Sequence, residues 1–259
     1  MKRNLQVLAS AVLLSAAGFS TAATVNIGGL NVSTGPVFSV ASIYENFVDG
    51  VGDELTGVGE VTQINGVAVG DLCAGCELTY QFGGYMVTSL TPTDITFSGG
   101  WVNFYLGFGA DNDFNPFASA NSAADLAAAT NGTEFLNLVG HHIDAAGNTF
   151  SGQGANLNTT AAVGFGAGLA DVDMTGAGIA NAFFDTNFIV ATFGGNADFQ
   201  LGSSFGNAVI PHPGECPDGP MCLAGSADFR AQVIPEPETY ALMLAGLGVV
   251  AFVARRRKS

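Results

Sequence analysis

Apolar and polar residues alternate between Glu77 and Phe108, and this pattern restricts the fold more than any other feature. Leu78, Tyr80 and Phe82 lie two residues apart. A period of two places successive side chains on opposite faces of a β-strand and does not suit an amphipathic helix. Gly83-Gly84 are expected to turn the chain, so the segment predicts consecutive β-hairpins.

Further short segments have the same character. The chain contains 36 glycines and 20 phenylalanines, and only 11% of its residues are charged, a composition that favours strands and tight turns over helices. Asn65-Gly66 separates two of the segments and is a strong hairpin signal. The strand candidates are 58–64, 67–69, 85–89, 95–97, 101–106, 134–143, 160–165, 170–175, 180–184, 188–193 and 198–205.

One short helix is predicted at 123–129, with Ser122 as its N-cap and Asp125 near its positive end. Many short strands with a single helix are typical of antiparallel all-β folds. We therefore expect an all-β protein, either an antiparallel β-sandwich or a barrel-like sheet with one short helix.

Positive charges are concentrated at the two ends of the chain. Between Thr24 and Ile234, twenty carboxylates stand against a single cation, Arg230, which leaves a net charge of −19. Such a surface repels both nucleic-acid phosphates and anionic lipid headgroups. Nucleic acid is therefore excluded as a partner, and so is peripheral membrane binding.

The N-terminus has the features of a secretory signal peptide. Lys2 and Arg3 precede an apolar run over 5–19, and the small residues 20–23 follow. This pattern predicts an N-terminal signal helix and cleavage after Ala22 or Ala23. We assign 1–23 to the signal peptide and 24–229 to an exported β-rich domain.

The C-terminus contains a second uncharged run, 240–254, followed by a basic tail at 255–259. As a helix, these 15 residues would extend about 22 Å, against a hydrocarbon core of roughly 30 Å, so a short transmembrane helix is predicted. The positive-inside rule keeps the tail in the cytoplasm and the preceding domain outside, in agreement with the signal peptide. The tail cations are Arg255, Arg256, Arg257 and Lys258.

Pro235, Glu236 and Pro237 lie in the segment 230–239, which we assign as a linker before the apolar run. The order of this motif, a short apolar helix and a terminal basic cluster resembles the PEP-CTERM sorting signal of Gram-negative bacteria. The resemblance implies export by the secretion machinery and processing by exosortase, a membrane protease-transpeptidase. It also implies transient anchoring in the inner membrane before delivery to the cell surface or extracellular matrix.

Four cysteines fall into two tight clusters, Cys73 with Cys76 and Cys216 with Cys222. In an exported protein, disulfides are expected, and short loops favour pairing within each cluster over the two long-range alternatives. A thioredoxin-like redox motif at the first cluster would need a βαβ pattern, which is missing. A zinc site from all four would need a shorter second spacing.

Asp111, Asp113 and Asn115 place oxygen ligands at alternate positions, as Ca²⁺ sites in loops do. An EF-hand would require Gly and Glu where Pro116 and Ser122 stand, so the alternative is an acidic turn. Two weaker acidic groups allow the same hypothesis, Asp49, Asp53 and Glu54 in one and Asp171 and Asp173 in the other. Ca²⁺ is the one cofactor that the sequence suggests.

Two patterns raise the question of catalysis. His141 and His142 with Asp144 could bind a metal, but adjacent residues of a strand point to opposite faces, so hydrogen-bonded or solvent-facing histidines are the alternative. Residues 202–206 match the nucleophile elbow, yet Pro211 prevents the helix that should follow. We assign no catalytic residues.

These observations favour a noncatalytic protein of the cell surface or extracellular matrix, acting in adhesion, biofilm or flocculation, with extracellular polysaccharide as a candidate partner. The alternative is a secreted β-sandwich enzyme or glycan-binding module whose site is dispersed along the sequence. A deep cleft of carboxylates and aromatics would favour the alternative, and flat faces would favour the first hypothesis.

Overall fold

The computed structural model describes residues 23–206, 209–216, 219–235, 244–248, 250 and 255. The predicted signal helix, most of the predicted transmembrane helix and the tail apart from Arg255 lie outside the described residues. Residues 244–248, inside the predicted membrane segment, are helical. Among the residues that are described, no helix has the length and apolar character needed to cross a bilayer.

Residues 23–235, where they are described, form twelve strands and three short α-helices. The strands are β1 (Thr24–Ile27), β2 (Leu30–Ser33), β3 (Gly35–Glu45), β4 (Glu54–Ile64), β5 (Val67–Ala68), β6 (Cys76–Leu90), β7 (Asp94–Phe108), β8 (Thr133–His141), β9 (Asn148–Ala155), β10 (Val163–Val172), β11 (Phe199–Gly206) and β12 (Leu223–Val233). The helices are α1 (Val69–Leu72), α2 (Ser122–Ala129) and α3 (Asn181–Phe184). The mostly β prediction is confirmed, but α1 and α3 add to the one predicted helix.

Antiparallel pairing closes the main sheet into a ring of eight strand positions. The order is β11-β12-β3-β4-β6-β7-β8-β10, and β10 pairs in turn with β11. β9 continues the position of β8, because β7 and β10 each pair with β8 along one half and with β9 along the other. Of the two predicted architectures, the structure has the barrel-like sheet.

Alternate side chains of the ring point inward and form one hydrophobic core. Tyr80 is at its centre, with ring centroids 5.6 Å from Phe104 and 5.3 Å from Phe229. Each large apolar side chain buried in this way contributes about 1.5–3 kcal/mol relative to exposure. Aromatic side chains therefore make up much of this core.

Gly83-Gly84 do not turn the chain, contrary to the prediction, because β6 continues through them. Gly84 has φ of 71°, and a Cβ there would lie 2.9 Å from the Trp101 ring. On β7, Gly100 makes equivalent room for the ring of Tyr85. The glycines let aromatic rings lie against the facing strand, and 77–108 forms one long hairpin that turns at 91–94.

Other boundaries also differ from the prediction. Segments 160–165 and 170–175 contribute to the single strand β10, and 180–184 is helical rather than extended. Segment 188–193 forms no strand, and its only ladder contact among the described residues is an isolated β-bridge between Ile189 and Ala197. β12 continues to Val233, four residues into the segment assigned as a linker, so Arg230 lies within the sheet.

Two long connections fold over the outer side of β4 and β6, and we call their described residues the cap. One connection joins β7 to β8 and contains α2, and the other joins β11 to β12. Phe114, Ala129 and Met221 of the cap pack with Val58 of β4 into a second, smaller apolar cluster, against which Tyr44 of β3 lies. This part of the sheet is therefore buried on both faces.

Candidate functional site

Both cysteine clusters are closed by local disulfides. Cys73 is bonded to Cys76, and Cys216 to Cys222. The first bond lies between α1 and β6, and the second lies in the cap just before β12. The prediction of disulfides is confirmed, and both bonds restrain connections at the rim of the sheet.

Polar side chains join the two connections of the cap. His212 Nε2 lies 2.8 Å from Asp125 Oδ2 and 3.1 Å from Ser119 Oγ. A serine protease triad needs the carboxylate and the hydroxyl on different ring nitrogens, whereas here both lie at the same one. Glu215 accepts hydrogen bonds from the amide and hydroxyl of Ser122. These contacts hold the cap together.

Helix α2 begins one residue earlier than predicted. Asn121 is its N-cap, with Oδ1 accepting from the amide of Ala124 at 2.9 Å, and Ser122 is turned toward Glu215 instead. Asp125 is buried, and its Oδ1 has no hydrogen-bond partner among the described residues.

The three predicted calcium ligands lie in the connection between β7 and β8. Asp111 is exposed in a 3₁₀ turn, and the side chain of Asp113 accepts a hydrogen bond from the side chain of Asn131 at 3.0 Å. The backbone carbonyl of Asn115 accepts from the backbone amides of Ala118 and Ser119. Within the described ranges, no three acidic, histidine or cysteine side chains are grouped to hold a metal ion. Calcium binding stays a prediction.

Glu77 is a buried acid of the same region that the sequence did not single out. Its Oε2 accepts from the amide of Phe114 at 3.0 Å, while its Oε1 has no partner among the described residues. Burial raises the pKa of Glu77 to about 6, against the lowering effect of the Phe114 and Asp113 amides. Glu77 occupies an outward position of β6, and only the cap, a long-range feature, buries it.

His141 and His142 point to opposite faces, as their adjacency predicts. His141 is buried, His142 is exposed, and Asp144 accepts from the Ala146 and Asn148 amides within a turn. His141 contacts Asp171 and the backbone of Phe193 rather than a second histidine. The hydrogen-bonded interpretation is confirmed for His141.

The other acidic groups and the serine motif have local structural roles. Asp53 accepts from the amides of Asp49 and Gly50, and Asp173 accepts from Thr175. Residues 202–206 lie on β11, where the motif forms no strand-to-helix elbow.

A small cavity of about 50 Å³ remains inside the ring. Glu45 lines it together with the aromatic side chains of Tyr80, Phe82 and Tyr85. Glu45 is 4% exposed, and burial raises the pKa of its carboxyl to about 8. An inward-facing acid among aromatics breaks the alternation of β3, and the sequence analysis missed it because β3 was not predicted.

A wider groove of about 530 Å³ lies on the outer face of the sheet, away from the cap. Phe38 of β3, Arg230 of β12 and Gln200 of β11 are direct cross-strand neighbours in this groove. Asp228 and Gly202 form the next row. These five residues come from three strands, of which only β11 was predicted.

The sorting segment begins where the sheet ends. Val233 is buried and pairs with Gly35, and the amide of Ile234 donates to the Phe183 carbonyl at 2.9 Å. Pro235 follows directly, while Glu236 and Pro237 lie outside the described residues. Residues 233–258 match the family model of the PEP-CTERM protein-sorting motif. The protein carries a PEP-CTERM sorting signal.

The PEP-CTERM signal indicates an exported protein that is sorted and processed by exosortase. The match covers the motif, the apolar run and most of the basic tail, the three features on which the sequence prediction rests. No curated protein and no solved structure matches the chain.

Proposed function

We propose that the protein is a noncatalytic component of the cell surface or extracellular matrix, acting in adhesion, biofilm or flocculation. The observation that carries this proposal is an exposed outer face formed by β3, β12, β11 and β10, which we call the open face. Large apolar side chains are exposed on it: Phe38 (48%), Val40 (36%), Val163 (44%) and Phe165 (61%).

The register brings these side chains onto one surface. Val40, Asp228, Gly202 and Ala167 form one row across the four strands. Two residues along each strand, Ser42, Ser226, Ser204 and Phe165 form a parallel row. The open face thus presents apolar side chains at its β3 and β10 edges, with small and polar residues between them, a mixture that suits contact with another molecule. The cap covers the outer face on the β4 and β6 side with the chain's own residues, whereas the open face is exposed in the part of the chain that the structure describes.

The arrangement of the buried polar groups supports a noncatalytic role. His141 binds Asp171 and a loop carbonyl, and His212 and Asp125 join the two connections of the cap. Each pair thus has a structural use. The secreted glycan-binding module is the second candidate, and the outer groove favours it over a secreted enzyme.

A gene deletion complemented by the full chain tests the proposal. We expect the deletion strain to lose aggregation or matrix-bound biomass and the parent chain to restore it. Phe165→Ser, on the open face, should restore it poorly. Phe117→Ser is the matched control, since Phe117 is similarly exposed, at 59%, but lies in the cap. Unchanged aggregation and biomass in the deletion strain would contradict the proposal.

A further inference from the structure

We propose that the outer groove binds a neutral polysaccharide, with a sugar ring stacked on Phe38 and its hydroxyl groups bound by Arg230, Gln200 and Asp228. This inference rests on the proposed matrix function and names the ligand class of the open face.

The groove has a built shape. Its volume of about 530 Å³ falls within the range of about 300–1,000 Å³ that is usual for small-ligand sites. Gly202 keeps its floor low, because a Cβ there would lie 2.5 Å from the Asp228 carboxylate. Ala167 continues the low floor on β10. The larger side chains of Phe38 and Gln200 rise on either side of Arg230, their cross-strand neighbour.

Phe38 is held in place by the turn between β4 and β5. The side-chain oxygen Oδ1 of Asn65 accepts a hydrogen bond from the backbone amide of Phe38 at 2.8 Å. The backbone amide of Asn65 donates to the backbone carbonyl of Phe38 at 2.7 Å. Asn65 has φ of 53° and is followed by Gly66 at 78°, as in a two-residue hairpin turn. The ring is therefore attached to a fixed backbone, which reduces the entropy lost when a ligand stacks on it.

The chemistry of the groove suits a sugar. An aromatic face packs against apolar C–H surface, and the guanidinium, amide and carboxylate supply both donors and acceptors for hydroxyl groups. The two salt bridges among the described residues both involve histidines. Arg230 therefore forms no ion pair within this part of the chain. A guanidinium carries five N–H donors, which suit the hydroxyl oxygens of a sugar.

The charge of the domain selects a neutral polymer. Twenty carboxylates surround one arginine between Thr24 and Ile234, so a chain of uronates would be repelled along its length. Asp228 lies two residues from Arg230 on the same face and offsets its charge locally. A single offset cation cannot hold a polyanion, whereas hydroxyl recognition needs no net charge.

Affinity electrophoresis of the exported protein tests the inference, with gels containing dextran, galactomannan or hydroxyethyl cellulose as neutral probes and polygalacturonate as the acidic probe. We expect retardation by at least one neutral polymer, little change between 50 and 500 mM NaCl, and no retardation by polygalacturonate. Phe38→Ala should weaken binding at least tenfold.

Phe117→Ala is the matched control and should bind like the parent. Phe117 packs on Tyr44, six residues along β3 from Phe38 and therefore about 20 Å away. Near-ultraviolet circular dichroism checks that both variants fold. Retardation by none of the neutral polymers, equal binding of polygalacturonate, or parent-like binding by Phe38→Ala would each overturn the inference. A deletion phenotype would then leave the matrix function standing, so the two failures are distinguishable.

Discussion

The imidazole Nδ1 of His141 lies 2.8 Å from a carboxylate oxygen of Asp171, on the neighbouring strand β10. Its other nitrogen, Nε2, lies 2.7 Å from the carbonyl oxygen of Phe193, in the loop before β11. Both partners are acceptors, and a neutral imidazole has only one N–H to donate. Only the protonated ring satisfies both, so the ring binds the loop to the sheet most firmly when it is charged.

We predict that this loop loosens as the pH rises. Burial of the ring lowers the pKa of His141, but the hydrogen bonds to Asp171 and Phe193 outweigh it and leave the pKa above 6.5. The stabilisation is complete below pH 6.5 and is lost as the pH rises through the raised pKa.

Hydrogen exchange of 189–197, corrected for intrinsic rates, should show falling protection as the pH rises. His141→Gln should remove this dependence and His142→Gln should retain it. An unchanged profile in His141→Gln would disprove the role.

Glu45 gives a second pH prediction, of the same sign. Burial raises the pKa of its carboxyl from 4.5 to about 8, so its contribution to stability is complete below pH 4.5 and lost as the pH rises through 8. The loss is about 3–5 kcal/mol. Glu45→Gln stays neutral, so it should equal the parent near pH 4.5 and exceed it in free energy of unfolding at pH 9.

Urea unfolding at several pH values measures this difference. Asp71→Asn is the control, because it removes one exposed negative charge on helix α1 and tests general charge repulsion. We expect its pH slope to stay close to that of the parent. Equal slopes for Glu45→Gln and the parent would show that Glu45 is ionised in the folded protein.

Local chemistry decided the parts of the fold that the sequence predicted. Asn65-Gly66 forms its turn because both residues tolerate positive φ. Helix α2 and both disulfides also depend on neighbours within a few residues. Gly83-Gly84 misled the prediction because glycine serves both turns and close packing against aromatic rings, and only the facing Trp101 shows which applies.

Long-range pairing decided what was missed. Phe38 and Gln200 are 162 residues apart in the sequence and become neighbours only because β12 lies between their strands. Arg230 was visible as the lone cation of the domain, but without β12 it was placed in a linker. Closure of the ring through β10 and β11 likewise depends on a register that no local pattern encodes.

Asp198 provides a prediction about stability at neutral pH. It is buried, with Oδ1 accepting from the amides of Thr186 and Asn187 and Oδ2 from that of Val172. Asp198→Ala leaves three amides without this acceptor and should cost about 3–5 kcal/mol in free energy of unfolding.

Chemical denaturation at neutral pH checks the value. Asp198→Asn keeps one acceptor oxygen and should lose less. Asp173→Ala, a partly exposed turn residue, should lose under about 1 kcal/mol. A loss for Asp198→Ala no larger than that for Asp173→Ala would show that the three hydrogen bonds contribute little.

The start of the sorting signal sets a limit on processing. Val233 pairs with Gly35 and Ile234 binds Phe183, so cleavage before Val233 would remove part of β12 and cleavage before Ile234 would remove the contact with Phe183. We expect the mature chain to begin near Thr24, to end at or beyond Pro235 and to lack the cations from Arg255 to Lys258. Intact-mass analysis of surface material checks both ends. A mature chain ending before Val233, or retaining Arg255, would contradict this account.

Arg230 yields the last prediction, because it is the one trypsin site between Thr24 and Ile234. Its backbone lies in β12, between Gln200 of β11 and Phe38 of β3, where a protease cannot bind it in extended form. Trypsin should therefore leave the folded domain whole and cut the unfolded domain once, after Arg230.

Brief trypsin pulses across a urea series, followed by mass analysis, should give cleavage that follows the unfolding curve. Arg230→Lys should behave alike and Arg230→Gln should resist at every urea concentration, while a protease selective for Phe should fragment both once unfolded. Cleavage after Arg230 without urea, at a rate independent of unfolding, would mean that the end of β12 is open as a linker would be and that the groove has lost its central strand.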